Sequence, residues 1–285
     1  MSWTEITPDV FVRGYPQDDI TITVVRGALG LLLVDTGGSP AVAARILSDM
    51  RELGNLRCVV NTHAHYDHTF GNQQFGSTPH VDVPIYGHQL LPAHLDEYER
   101  PRLAAWRSGT STERPRDWSE VVITPPTQLV LERCLVDLGD SAVELIPLDP
   151  GHTDGDLVLR VPSRGDGRGD TWIVGDVLEE PGPPMYGSGC YPMRWPTTLA
   201  TLLDEIGEHD VIVAGHGQPI SRAFAVAQLS ILQATAERIR QHHRAGDDIS
   251  DALSAASEWA YPPAALQLAI QRGYAELDEK GTAAD

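Results

Sequence analysis

Three imidazoles and one carboxylate fall within six residues in the segment His63-Ala64-His65-Tyr66-Asp67-His68. Imidazole nitrogen and carboxylate oxygen are the donors that suit a zinc-type divalent ion, bound at about 2.0–2.2 Å. Two positions apart in an extended segment, His63 and His65 project to the same side. Asp67 and His68 follow once the chain bends, and they can face a second ion. Four ligands from a single turn crowd one ion, so the segment reads as one wall of a metal pair. Three further donors sit next to glycine or a turn. They are His152 in Pro150-Gly151-His152-Thr153, Asp176 in Val174-Gly175-Asp176, and His216 in Ala214-Gly215-His216-Gly217. Each glycine permits a close backbone approach or an unusual φ. Taken singly, each is an ordinary turn; together they complete a donor set of seven.

The elements that must hold these donors follow from apolar patterning. Residues 10–15, 20–26 and 29–35 read as strands. Residues 36–40 form a turn with Ser39 as N-cap and Pro40 at the first helical position. A helix over 41–53 is expected from Val42, Ile46, Leu47, Met50 and Leu53, with Gly54 as its C-cap. A short strand at 58–60 delivers the histidine-rich segment, and a strand at 85–87 and a helix over about 89–106 follow. Strands are expected again at 128–132, 143–147, 157–161 and 172–176, with a Gly/Asp turn at 165–169. A helix at 197–208, a strand at 211–214 and a helical tail over 223–277 complete the chain. Strands followed by helices, twice over, predict a layered α/β architecture of two similar halves. The division expected is a catalytic domain of residues 1–222 and a helical C-terminal extension, 223–285, packed on it. The tail carries Ala225, Leu229, Leu232, Ala236 and Ile239 at helical spacing; these pack on the body, or else form a homodimer interface. The loops 108–126 and 179–196 hold Trp118, Met185, Tyr186, Tyr191, Met193 and Trp195, which either line a pocket or pin the loops.

A net charge of −19 and a pI near 4.8 disfavour nucleic acid and anionic membrane surfaces as partners, leaving a small-molecule substrate. Apolar runs such as 28–34 fall far short of the ~20 residues of a spanning helix. The first residues show neither a basic region nor an apolar one, so a cytoplasmic location is expected. Three cysteines (Cys58, Cys134 and Cys190) in no paired spacing read as free thiols. His80, His88, His94, His209, His242 and His243 have no ligand context and read mostly as surface or capping residues.

The donor set resembles that of the metallo-β-lactamase-fold hydrolase superfamily, and Leu33-Val34-Asp35-Thr36-Gly37 resembles its early strand-and-turn motif. The resemblance covers roughly residues 10–220. It implies a four-layer αβ/βα sandwich with the metals at one edge and the helical tail added. It also implies a division of ligands: His63, His65 and His152 on one ion, Asp67, His68 and His216 on the other, Asp176 bridging. Aspartate at position 176 is similar to the glyoxalase II-like and general acyl-hydrolase branches, whereas zinc β-lactamases carry Cys or Ser there. The expected activity is a metal-dependent hydrolase with two zinc ions, in which a bridging hydroxide attacks an activated thioester, ester, lactone or amide carbonyl. Asp67 is the catalytic candidate, as a ligand that also orients or moves a proton. Asp35 is expected to accept from a ligand histidine, or else to cap Gly37 or Gly38. Lactonase relatives carry a tyrosine three residues after the bridging aspartate; Glu179 stands there instead. The alternatives are an iron dioxygenase of the persulfide type, with His63, His152 and Asp176 on one iron, and a β-lactamase-type amide hydrolase. No substrate-binding residue is assigned.

Overall fold

The strand β4 (Gly30–Val34) is apolar at four consecutive positions because it is buried on both faces. Leu32 and Val34 point into a core between two sheets, whereas Leu31 and Leu33 lie beneath a helix on the other side. The structure is a computed structural model, and it describes residues 2–76, 82–112, 116–165, 169–255 and 259–282.

Seven strands form the first sheet in chain order: β1 (Thr4–Thr7), β2 (Val10–Tyr15), β3 (Ile20–Gly27), β4, β5 (Leu56–Val60), β6 (Ile85–His88) and β7 (Gln128–Val130). The pairs from β1 to β4 are antiparallel and those from β4 to β7 parallel. The second sheet comprises β8 (Cys134–Asp137), β9 (Ala142–Pro147), β10 (Leu157–Val161), β11 (Thr171–Gly175) and β12 (Val211–Ala214), in the spatial order β12-β11-β10-β9-β8. β11 and β12 are parallel; the other neighbours are antiparallel. Val25, Val60, Leu145, Leu159 and Val213 are among the side chains that fill the space between the sheets.

Helix α1 (Pro40–Met50) covers the outer face of the first sheet with Val42, Ala43, Ile46 and Met50, and Ser39 caps it by accepting from Val42 N–H. The outer face of the second sheet is covered by α5 (Trp195–Glu205), α6 (Arg222–Ala245) and α8 (Pro263–Thr282), through Leu199, Leu202, Leu232, Ile239, Leu266 and Ile270. The layers are therefore helix, sheet, sheet, helix, as expected for the αβ/βα sandwich. The short α7 (Ile249–Ser254) joins the last two helices. Ala225, Leu232, Ala236 and Ile239 are buried against this body, and Leu229 packs beside them.

Several expectations are corrected. The halves differ, with seven strands against five among the described residues. Edge strands β1 and β8 were not anticipated; each buries a single side chain, Thr7 or Val136, too few to leave an alternating pattern. The first helix ends at Met50 with Arg51 as its C-cap, and Gly54 (φ +149°) instead serves the turn packed on Leu31. The helical segment expected over 89–106 runs from α3 (Leu91–His94) through a π-turn (Leu95–Glu99) into α4 (Arg100–Arg107). The centre of the 165–169 turn and His80 lie outside the described residues. Among the described residues, no helix is long and apolar enough to cross a membrane.

Candidate metal centre

The donors gather where strands of both sheets end. β5 ends at Val60, and Asn61-Thr62 lead into His63. A single helical turn, α2 (Tyr66–Thr69), then reverses the chain and carries Asp67 and His68. Its position is fixed by the His68 carbonyl, which accepts from Thr36 Oγ1 (3.0 Å) and Asn61 Nδ2 (3.1 Å). Asn72 pairs with Asn61 in the same buried knot. His152 lies in the turn after β9, closed by Asp156, which accepts from Thr153 N–H (2.9 Å) and Thr153 Oγ1 (2.6 Å). Asp176 follows β11, and His216 follows β12 by one glycine. Gly175 has φ +54°, and a Cβ there would stand 2.7 Å from Thr62 Cβ. A Cβ on Gly215 would stand 2.0 Å from Asp176 Oδ1, so only glycine lets the two strand ends meet at this carboxylate.

The seven side chains converge. His65 Nδ1 lies 3.1 Å from His63 Nε2 and 3.0 Å from His152 Nε2. Asp176 Oδ2 lies 3.6 Å from His63 Nε2 and 3.7 Å from His152 Nε2 on one side. On the other it lies 3.4 Å from His68 Nε2 and 3.3 Å from His216 Nε2. Asp67 Oδ2 is 3.5 Å from His216 Nε2. His63, His65, His152 and Asp176 thus form one donor group, and Asp67, His68 and His216 another. Asp35 accepts from Thr62 N–H (2.8 Å), from Thr62 Oγ1 (2.8 Å) and from His68 Nδ1 (2.8 Å). Gly38 N–H turns instead to Asp18 (3.1 Å), so Asp35 serves the histidine rather than the turn.

Electrostatics divides the two groups. Burial holds His63 and His65 well below the ordinary histidine range, and pushes His152 down to about 4. Burial works the same way on His68 and His216, but Asp176 and its neighbouring carboxylates outweigh it and raise both. Burial alone would raise Asp67 and Asp176; the facing imidazoles hold Asp67 at about 2 and Asp176 well below the carboxylate range. A cation is what this arrangement fits. Three imidazole nitrogens crowd to about hydrogen-bond distance, and among the described residues His68 Nε2 and Asp176 Oδ1 are buried without a hydrogen bond. All-nitrogen-and-carboxylate donors suit zinc.

A cleft of about 440 Å³ opens onto this group. Its wall includes Met185, a lining candidate in the sequence, together with Asp18, Asp19, Arg102, Glu179 and Ser188, which the sequence did not mark as lining. Burial raises the Glu179 carboxyl to about 8. Of the loop residues noted in the sequence, Met185 is 62% exposed and lines the cleft. Tyr186, Met193 and Trp195 are buried in the second-sheet core, and Trp118 packs on Phe70 while donating to the Gly38 carbonyl (3.0 Å); these pin their loops. Cys190 is buried, with its thiol raised by burial, as suits a bystander. Of the histidines expected to be mostly surface or capping residues, His88 and His94 are buried, and His88 Nδ1 accepts from Leu90 N–H (3.2 Å) at the start of α3.

Comparison with known proteins agrees with this architecture. A linear primary-alkylsulfatase from Pseudomonas sp. (strain ATCC 19151) is 25% identical over 249 residues, covering 77% of this chain and 45% of that protein. The inverting sec-alkylsulfatase Pisa1 from Pseudomonas sp. matches with a TM-score of 0.75 at 16% identity, covering 96% of this chain and 49% of that one. A metallo-beta-lactamase from Pontibacter korlensis matches with a TM-score of 0.61 at 17% identity, covering 81% and 98%. The chain therefore spans about half the length of these alkylsulfatases. Sulfate esters were not among the substrates expected from the sequence. The metallo-beta-lactamase superfamily profile matches residues 15–216, and the chain belongs to that superfamily of hydrolases.

Proposed function

We propose that the protein is a dinuclear metal hydrolase acting on an ester, thioester, lactone or amide bond of a small molecule. The carrying observation is the convergence of seven donors, with the imidazoles of His63, His68, His152 and His216 at 3.3–3.7 Å from one carboxylate oxygen, Asp176 Oδ2. His63, His65 and His152 would hold one ion, Asp67, His68 and His216 the other, with Asp176 shared. Zinc fits these donors best, with iron the alternative. When bound, such a pair supplies a water of lowered pKa and Lewis-acid polarisation of the scissile group.

The chain's own residues prepare the imidazoles for that role. Asp35 takes His68 Nδ1–H, the Ser188 carbonyl faces His65 Nε2 at 2.9 Å, and the Asp19 carbonyl faces His216 Nδ1 at 2.8 Å. Each outer nitrogen then carries the proton, and the inner one keeps its lone pair for the centre. Asp67 lines the cleft in its ionised form, so its carboxylate is placed to orient a proton at the reacting group. The extension, residues 223–285, serves the same site at a distance. Gln228 holds the Glu179 backbone at both ends (3.1 and 2.9 Å), and Glu276 accepts from Met193 N–H (2.9 Å).

The cleft is lined by Asp18 and Asp19, by Glu179, whose carboxyl burial keeps protonated near neutral pH, and by Arg102, whose charge is already shared with Glu99. That balance favours an uncharged scissile group over an anionic one. The second reading is an alkyl sulfate ester, favoured by the 25% identity to an alkylsulfatase. The test is a hydrolysis panel of p-nitrophenyl acetate, an acyl thioester, a γ-lactone, a β-lactam and an alkyl sulfate. Each is assayed after chelation and after zinc is restored. Carbonyl substrates cleaved only with metal support the first reading. Turnover of the alkyl sulfate alone transfers support to the second, and metal-independent turnover contradicts both.

A further inference from the structure

His94 repeats, outside the centre, the arrangement of His68 within it. His68 Nδ1 is 2.8 Å from Asp35 Oδ2, and His94 Nδ1 is 2.8 Å from Asp154 Oδ1. In both residues Nε2 is buried, and among the described residues it has no hydrogen bond. A histidine that gives its Nδ1 proton to a carboxylate keeps a lone pair on Nε2, which is how metal-bound histidines are held. His94 is only 1% exposed, so solvent does not satisfy that lone pair.

Two more donors face the same space. Glu99, 0% exposed, stands five positions after His94 at the end of the π-turn. A π-turn brings residues i and i+5 together, and such irregular turns are frequent at functional sites. Glu99 accepts from Arg102 Nη1 on both oxygens (3.1 and 3.0 Å) and from Ser188 Oγ (3.1 Å). A carboxylate offers about four acceptor directions, so a further bond can be made. His65 is the third. Its Nδ1 belongs to the proposed metal pair, while its Nε2 meets the carbonyl of Ser188, the residue whose hydroxyl reaches Glu99. The rings of His65 and His94 are 5.7 Å apart, and donor atoms of His65, His94 and Glu99 lie within 4.8 Å of one another.

We propose that His94, Glu99 and His65 form a third cation site that takes a zinc-type divalent ion and shares the His65 imidazole with the adjoining centre. Two nitrogens and one carboxylate select an ion of that class over calcium or magnesium, which take oxygen donors. Binding at His65 Nε2 displaces the ring proton to water, and the ring then serves both sides. This inference rests on the dinuclear reading only through the shared His65.

The test is zinc stoichiometry on the full chain, stripped with chelator, dialysed against excess zinc and freed of unbound ion. Wild type, His94→Ala, Asp176→Ala and the double variant are compared by elemental analysis. The proposal expects His94→Ala to hold one zinc per chain fewer than wild type, and the double variant one fewer than Asp176→Ala. Equal zinc in both pairs overturns it. The subtraction reads the third ion separately, so an Asp176→Ala protein with wild-type content would contradict the dinuclear reading alone. If His94→Ala does not fold, judged by circular dichroism, Glu99→Gln takes its place, with at least tenfold weaker binding of the third ion expected and unchanged binding overturning the proposal.

Discussion

The two walls of the cleft are held in different ways. The wall of residues 61–72 is fixed by short buried bonds within the first sheet: Asp35 to Thr62 and His68, Thr36 to Asn72, and Asn61 to Asn72. The facing wall, residues 179–194, is fixed by distant elements. Gln228 lies 49 positions from Glu179, Glu276 lies 83 from Met193, and Glu99 lies 89 from Ser188. The first wall supplies four of the seven donors, whereas the second supplies the surface a substrate would meet. On the proposed function, the donor-bearing wall and the wall held by Gln228 and Glu276 of the helical extension can be perturbed separately.

The comparison breaks most severely at the shared carboxylate. Asp176→Ala is expected to reduce metal-dependent hydrolysis at least ~10³-fold, with loss of bound metal measured in the same preparation. A variant of normal activity would remove the proposed centre. Asp35→Ala, one step out on the rigid wall, is expected to weaken metal affinity by about 10–100-fold, read by competition with a chelator dye. Gln228→Ala tests the far-held wall. It removes two buried hydrogen bonds from the Glu179 backbone, a loss of about 1–3 kcal/mol, and should raise KM while zinc content stays at the wild-type value. A fall in zinc content would show that the walls are not independent.

The gentlest test is Glu179→Gln. Burial raises the folded-state carboxyl to about 8 from 4.5, so between those values the native chain holds a proton that the unfolded chain has lost. Stability from this group is therefore lost as pH rises. In chelated protein, wild type should lose about 1 kcal/mol per pH unit relative to Glu179→Gln between about pH 5.5 and 7.5, measured by urea unfolding. Parallel curves would show that Glu179 is not buried as described.

The rigid wall is also the part that the sequence reveals. His63, His65, Asp67 and His68 lie within one turn, so their spacing alone carries the geometry, and Asp35 follows an unbroken apolar strand. The glycines beside Asp176 and His216 mark close approach, and Ser39-Pro40 marks a helix start that the structure keeps. The far-held wall leaves no such trace. Trp118, Tyr186, Met193 and Trp195 could equally have lined a pocket, because their partners lie in elements remote in the chain. His94 reads from the sequence as a surface or capping residue because a π-turn, which shifts the helical phase, decides which side chains it meets. Asp18 and Asp19 reach the cleft from the turn between β2 and β3, a placement set by tertiary packing rather than local pattern.

The most direct measurement is a crystal structure of the zinc-loaded protein with anomalous data at the zinc edge. Two peaks are predicted on either side of Asp176 Oδ2, one among His63, His65 and His152 and the other among Asp67, His68 and His216. A single peak there, or none, would contradict a paired metal centre.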